Sequence, residues 1–203
     1  MEPPTTIAPT RDRSALEVWR RDRQPELAIM SELAGQATSQ AEVDLLTRAY
    51  VLVLAGEFQA FFTDLLSDVA KTLVSALPDD VLPPLRKVLQ NAIEDGHLIN
   101  FRNPDTTTLQ RDLVRFDFQL RERLSSADRR RLRRLDEVIR TRNKLAHATA
   151  TVAELGPGGA RLTPATVDEW RRDLDQLVTI LNKAVASDLR TRLSVTVPFE
   201  EST

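Results

Sequence analysis

Apolar residues recur at three- and four-residue spacing over most of the chain, and that period predicts helices rather than strands. The strongest run covers residues 40–76, where Tyr50, Leu54, Phe58, Phe61 and Leu65 fall on one helical face. A further helix is expected in "PDDVLPPLRKVLQNAIEDG", restarted at Pro83 and Pro84 and stopped at Gly96. Proline suits the first turn of a helix, where its missing N–H is no loss, and glycine suits the residue after the last turn. Residues 97–107 read as a loop. Thr108 is the expected cap of a helix reaching about Leu124, and Ser125 or Ser126 caps another reaching about Ala148. The segment "ELGPGGARLTP" reads as a connection, after which Thr163 caps and Pro164 opens a last helix to about Arg190. Ahead of all these, residues 14–35 suggest a weaker helix interrupted at Pro25. The end, "SVTVPFEEST", suits a short strand or an extended arm. The expected fold class is all-α, an antiparallel helical bundle. Its expected divisions are a disordered lead-in at 1–13, a helical extension at 14–39, the main helical domain at 40–191 and a tail at 192–203.

Composition narrows the chemistry. With 203 residues, 41% of them hydrophobic, the chain supports one domain with an aliphatic core. It contains no cysteine, so disulfides and thiolate metal sites are excluded. No metal-ligand spacing and no cofactor motif is present. "GPGG" lacks the lysine and the strand–helix setting of a phosphate loop. No unbroken apolar run of about 18 residues stands out, so no membrane span is expected. The start, "MEPPTTIAPTRDRS", does not have the basic-then-apolar order of a secretory leader. The expected setting is cytoplasmic.

Charge changes the picture more. The formal net charge is −2, yet residues 121–144, "RERLSSADRRRLRRLDEVIRTRNK", hold nine arginines and one lysine against Glu122, Asp128, Asp136 and Glu137. A segment of net +6 on an acidic body is what polyanion binding requires, because affinity follows the surface that meets the phosphates. Arg129, Arg130, Arg131, Arg133, Arg134 and Lys144 are therefore the candidate RNA-contacting residues. An ordinary solvated helix face is the alternative reading of such a run.

The same helix carries the candidate site in "VIRTRNKLAHAT", residues 138–149. On a helical wheel Leu135, Val138, Ile139, Leu145 and Ala146 make an apolar stripe with Arg142 in its middle. A guanidinium there requires a partner or a cleft, since an isolated buried charge is costly. Glu57, the single charge in "AYVLVLAGEFQAFF", is the expected carboxylate partner. His147 lies off the stripe, one turn after Asn143, whose side chain is placed to orient the imidazole. Five residues apart, Arg142 and His147 project about 140° from each other on one helix. They need not touch within one helix to serve one site if both line a groove shared between two copies of the chain. A histidine exchanges protons near neutral pH, and an arginine holds a phosphate through two parallel hydrogen bonds. That pair suits cleavage of RNA by its own 2′-hydroxyl. His97, beside "NFRNP", reads as an ordinary polar loop residue.

At "RNKLAH" the chain resembles the HEPN superfamily, small α-helical domains of which many are ribonucleases of toxin–antitoxin and defence systems. Arg142, Asn143 and His147 match its motif of an arginine, a polar residue and a histidine after a short spacer. "LLTRAYVLVLAGEFQAFFTDLL" resembles the first core helix of the HEPN group found near predicted ribonucleases, and "LTPATVDEWRRDLDQLVTILNKAV" its closing helix. The likeness spans about residues 40–190. It implies a homodimer that cleaves RNA without a metal or other cofactor, with Arg142 and His147 of both subunits in one cleft. It also implies Asn143 at the polar position, Glu57 at the acidic one, and an antitoxin or defence-system protein as a further partner. The tyrosine that some HEPN toxins carry shortly after the histidine is replaced here by Ala148, Thr149 and Ala150. A non-catalytic HEPN-like dimer that binds RNA or a partner protein is the alternative.

Overall fold

The computed structural model describes residues 13–78, 80–147 and 151–193, and among these no strand occurs. The expected all-α class is what the chain adopts. Its helices are α1 (Ala15–Val18), α2 (Gln24–Gln36), α3 (Gln40–Ser75), α4 (Pro83–Asp95), α5 (Thr106–Val114), α6 (Leu120–Arg123), α7 (Ser126–Ala146) and α8 (Pro164–Leu193). The lead-in at 1–12 and the arm at 194–203 lie outside the described residues.

Three long helices, α3, α7 and α8, pack on one another and enclose the core, with α2 lying against α3 and α8. Phe58, Phe61, Phe62 and Leu65 from α3 meet Leu135 and Val138 from α7 and Trp170, Leu174 and Leu181 from α8 in one buried cluster. Burial of each large side chain contributes on the order of 1.5–3 kcal/mol. Helix α3 is long and apolar enough to cross a membrane by length and composition, with a mean hydropathy of 1.4 over its most apolar window. Half of that window is buried inside the bundle, as in the central helix of a packed core. The apolar run is interrupted, as expected, but the charges that break it, Glu57 and Asp64, are too sparse to lower its mean.

The first segment is continuous where an interruption at Pro25 was expected. A π-helical turn, Trp19–Arg23, joins α1 to α2, so Pro25 opens a helix instead of interrupting one. The Gln24 N–H donates to the Trp19 carbonyl across this wider turn. The chain thereby enters the proline with helical geometry, and the missing N–H falls where it costs least. Ala15, Leu16, Trp19 and Leu27 are buried in the same core as α3. The Trp19 indole N–H donates to Asp175 at 2.9 Å, and the Ala15 N–H to Asp68 at 2.7 Å.

Two further boundaries differ. The cap of α5 is Asp105, whose carboxylate accepts from the Thr108 N–H at 2.8 Å, so Thr108 lies inside the helix. That helix ends at Val114, well short of Leu124. Phe118 N–H donates to the Leu113 carbonyl and Asp117 N–H to Val114, with Asp117 at φ 60°. This is the closure in which one left-handed residue ends a helix, and aspartate tolerates that conformation better than most. It turns Phe118 into the core. By contrast, Ser125 caps α7 through a reciprocal pair with Asp128, and Thr163 Oγ1 accepts from the Thr166 N–H, as the sequence led one to expect.

Candidate functional site

Both motif side chains stand at the end of α7, and the fold fixes that end from two sides. Asp136 of α7 accepts from the Thr106 N–H at 2.8 Å, and the Thr106 hydroxyl donates to the Leu132 carbonyl. These bonds pin the start of α5, and with it the 97–105 segment, alongside α7. From α3, Arg48 Nη2 donates to the Leu145 carbonyl at 2.8 Å, satisfying one of the carbonyls that the last turn leaves open. His147 then closes the helix as its C-cap, its own N–H donating to the Asn143 carbonyl.

Arg142 is partly buried at the end of the apolar stripe. Its Nη1 donates to Asn103 Oδ1 at 3.4 Å and to Asn143 Oδ1 at 3.1 Å. The expected partner, Glu57, is engaged elsewhere: it accepts from Arg23 Nε at 3.0 Å, while Arg23 Nη2 reaches Asp64 at 2.5 Å. The π-turn carries Arg23 onto the α3 face that holds Glu57, so the carboxylate is satisfied 34 residues away in sequence rather than by α7. Among the described residues Arg142 therefore has two neutral amide oxygens as acceptors and no carboxylate.

Asn143 is also placed otherwise than expected. Its carboxamide oxygen serves Arg142, and among the described residues the exposed imidazole of His147 has no hydrogen-bond partner. Ala146 is exposed and does not belong to the apolar stripe, which consists of Leu132, Leu135, Val138, Ile139, Thr141 and Leu145. Arg142 and His147 lie on one continuous helix, about 140° apart around its axis. Within a single chain they face different sides.

The basic run separates into two populations. Arg131 pairs with Asp128 at 3.0 Å and also donates to Gln176 of α8. Arg134 bridges Glu137 at 2.5 Å and Asp173 of α8 at 3.1 Å. Burial disfavours the charge on Arg134, but Asp173 and Glu137 outweigh it and hold the guanidinium above its ordinary range. These two arginines fasten α7 to α8. Arg129, Arg130 and Arg133 are exposed, and no ion pair occupies them among the described residues. Arg129, Arg133, Arg140, Lys144 and His147 follow one another at intervals of four, seven, four and three residues, which aligns them on one outward face. Among the described residues the acids of α7 form no ion pair with Arg129, Arg133 or Arg140 of that face. Asp128 is held by Ser125 and Arg131, Asp136 by the Thr106 N–H, and Glu137 by Arg134.

Three contributors escaped the sequence reading. Asn103 and Arg48 act across the fold, and nothing local marks them. Arg140 was legible, because it stands one helical repeat before Lys144 and two before His147.

His97 is also corrected. It is buried, stacked on Phe116 with ring centroids 5.6 Å apart, and its Nδ1 lies 3.4 Å from an Arg115 guanidinium nitrogen. Arginine only donates, so Nδ1 accepts and the ring proton rests on Nε2, which is buried without a partner. Burial lowers its pKa below the usual histidine value. Asp112 opposes that shift, Arg115 adds to it, and Glu94 opposes it more weakly.

No group of three or more His, Cys, Asp or Glu side chains suited to a metal ion occurs among the described residues. Compared with known proteins, the chain matches no family model, no curated protein and no solved structure.

Proposed function

We propose that this protein is an endoribonuclease of HEPN type that needs no metal ion, works as a homodimer and cleaves single-stranded RNA. In this reading Arg142 and His147 of both subunits line one cleft. The observation that carries it is the setting of Arg142, a partly buried guanidinium whose hydrogen bonds go only to the neutral side chains of Asn103 and Asn143. Structural arginines held against a core are normally neutralised by carboxylates. This one keeps its full charge for an anion, and a phosphodiester meets that need bidentately.

The chemistry follows from the groups present. A 2′-hydroxyl attacks the adjacent phosphorus, the bond from phosphorus to the 5′-oxygen breaks, and a 2′,3′-cyclic phosphate remains. His147 of one subunit takes the 2′-hydroxyl proton, and His147 of the other gives a proton to the departing oxygen. Arg142 stabilises the charge that grows on the phosphoryl oxygens. The 140° divergence of the two side chains is why a second copy is required. Toxin or defence effector is the role this activity implies, with an antitoxin or defence-system protein as the controlling partner.

A second reading is favoured by one observation. The His147 imidazole has no orienting hydrogen bond among the described residues, as suits a dimer that holds RNA on its basic face without cutting it. Incubation of single-stranded RNA and matched DNA with the protein in EDTA separates the two. Cleavage of RNA alone, reduced about 10²–10⁴-fold in His147→Ala, supports the nuclease. RNA bound but left whole supports the binding module. Cleavage of DNA, or a fully active His147→Ala protein, excludes the proposed mechanism.

A further inference from the structure

A groove of about 370 Å³ runs between the second half of α7 and the 152–159 segment. Arg140 and Lys144 line its α7 wall, and Glu154, Leu155, Gly156 and Gly159 line the other. That volume falls within the usual range of small-molecule sites. Arg140 and Lys144 are the two cations nearest His147 on the outward face of α7, so the groove opens on the side from which the imidazole projects.

Arg140 and Glu154 stand on opposite walls of this groove, and no ion pair joins them among the described residues. Arg140 makes one hydrogen bond, to the Asp136 backbone carbonyl at 3.1 Å, which leaves its charge uncompensated. Glu137 borders the groove but is already bridged by Arg134. Glu154 is exposed, and no hydrogen bond or ion pair occupies its carboxylate among the described residues. Arg140 and Glu154 line the same space without bridging it. A ligand seated between them must therefore offer an anion to α7 and hydrogen-bond donors to the loop.

The glycines leave part of the loop wall without side chains. Gly158 and Gly159 have φ of 68° and 81°, a left-handed turn that side chains rarely adopt. A side chain on Gly156 would collide with the Ala160 and Arg161 carbonyls, whereas Gly159 faces open space. Leu155 is partly buried against the core and gives this wall an apolar floor.

We propose that this groove is a nucleotide subsite with a preference for guanine. It rests on the reading of the substrate as RNA and extends that reading to sequence. The phosphate sits on Arg140, the base lies along Leu155 and the glycine turn, and Glu154 reads the base edge. A carboxylate offers two acceptors side by side, and guanine presents two adjacent N–H donors, N1–H and the 2-amino group, on its pairing edge. Adenine and cytosine present one amino group each, and uracil a single imino N–H between two carbonyls that repel a carboxylate.

Equilibrium dialysis of the full chain against the four ribonucleoside 5′-monophosphates, with inosine monophosphate and inorganic phosphate as controls, tests the subsite. Guanosine monophosphate is expected to bind about tenfold more tightly than the other three, the discrimination a bidentate pair typically provides. Inosine monophosphate, which lacks the 2-amino group, should fall between. Glu154→Gln should remove the guanine advantage while phosphate-dependent binding persists, and Arg140→Ala should weaken every nucleotide. All these residues are on the surface, and far-ultraviolet circular dichroism confirms that each variant is folded. Nucleotides retained no better than inorganic phosphate, or a guanine preference that survives Glu154→Gln, would overturn the subsite. Cleavage is not read in this assay. Guanine-selective binding by a protein that cuts no RNA ends the nuclease reading alone, and RNA cleavage without nucleotide retention ends this one alone.

Discussion

Arg23 and Arg142 are both guanidinium groups drawn in toward the core, and their surroundings differ in one respect. Arg23, 11% exposed, is gripped by Glu57 and Asp64, themselves 26% and 23% exposed. Arg142 is given two amide oxygens. The first arrangement neutralises the charge and ties the N-terminal helices to α3. The second orients the guanidinium without neutralising it. An arginine built only for stability gains most from a carboxylate, whereas a partly buried one supplied with neutral acceptors keeps a charge that an anion can meet. The two histidines differ in parallel. His97 is enclosed and held neutral, whereas His147 stands exposed at a helix end.

If the contrast between the arginines is correct, substituting them must give opposite phenotypes. Arg142→Ala should cost about 10²–10³-fold in RNA cleavage, the usual loss when one donor to developing charge is removed. It should change unfolding free energy by less than about 1 kcal/mol, because Asn103 and Asn143 can turn to water. Arg23→Ala should instead destabilise the fold by about 3 kcal/mol in denaturant titration, since it removes the guanidinium that bridges Glu57 and Asp64 in a partly buried site. A large stability loss from Arg142→Ala would make Arg142 a second Arg23 and collapse the distinction.

The contrast extends along α7. Replacing Arg129 and Arg133 with alanine should flatten the salt dependence of RNA binding by a logarithmic slope of about 1.4, at about 0.7 for each single-strand phosphate contact. Replacing Arg131 and Arg134, which serve α8, should leave the slope nearly unchanged and lower stability. Equal slopes for the two double variants would mean that the ion pairs to Asp128, Glu137 and Asp173 do not sort the run.

The smallest effect expected belongs to His97. Its pKa is lower in the fold than the ordinary 6.5, so the stability that its neutral form contributes is complete above that value. It is lost progressively as pH falls below 6.5 and the unfolded chain binds the proton more readily. His97→Gln should flatten the acid side of the stability profile. An unchanged profile would show that the His97 corner does not contribute.

The sequence carried the helices wherever a cap, a proline or a long apolar period spoke locally. Ser125, Thr163 with Pro164, and the α3 face all did so. It failed where a boundary depended on a distant residue. The end of α5 is set by Phe118 reaching the core through a left-handed Asp117, and Pro25 is accommodated by a π-turn whose purpose is to seat Trp19 and Arg23 on α3 and α8. The candidate site shows the same division. Arg142, His147 and their divergence could be read from spacing. The partner of Arg142 could not, because the nearest plausible carboxylate in pattern, Glu57, had already been claimed by a segment outside the motif. The arginine run likewise looked uniform in sequence, since the carboxylates that divide it come partly from α8.

Arg142 and His147 are proposed to assist an attack by the RNA's own 2′-hydroxyl. The most direct test is the chemistry of the new ends formed from single-stranded RNA in EDTA, read by mass spectrometry. That attack should leave a 5′-hydroxyl on one fragment and a 2′,3′-cyclic phosphate, or the monophosphate from its hydrolysis, on the other, with both lost in His147→Ala. Fragments ending in a 3′-hydroxyl and a 5′-phosphate would contradict it, because they require water rather than the 2′-oxygen as the nucleophile.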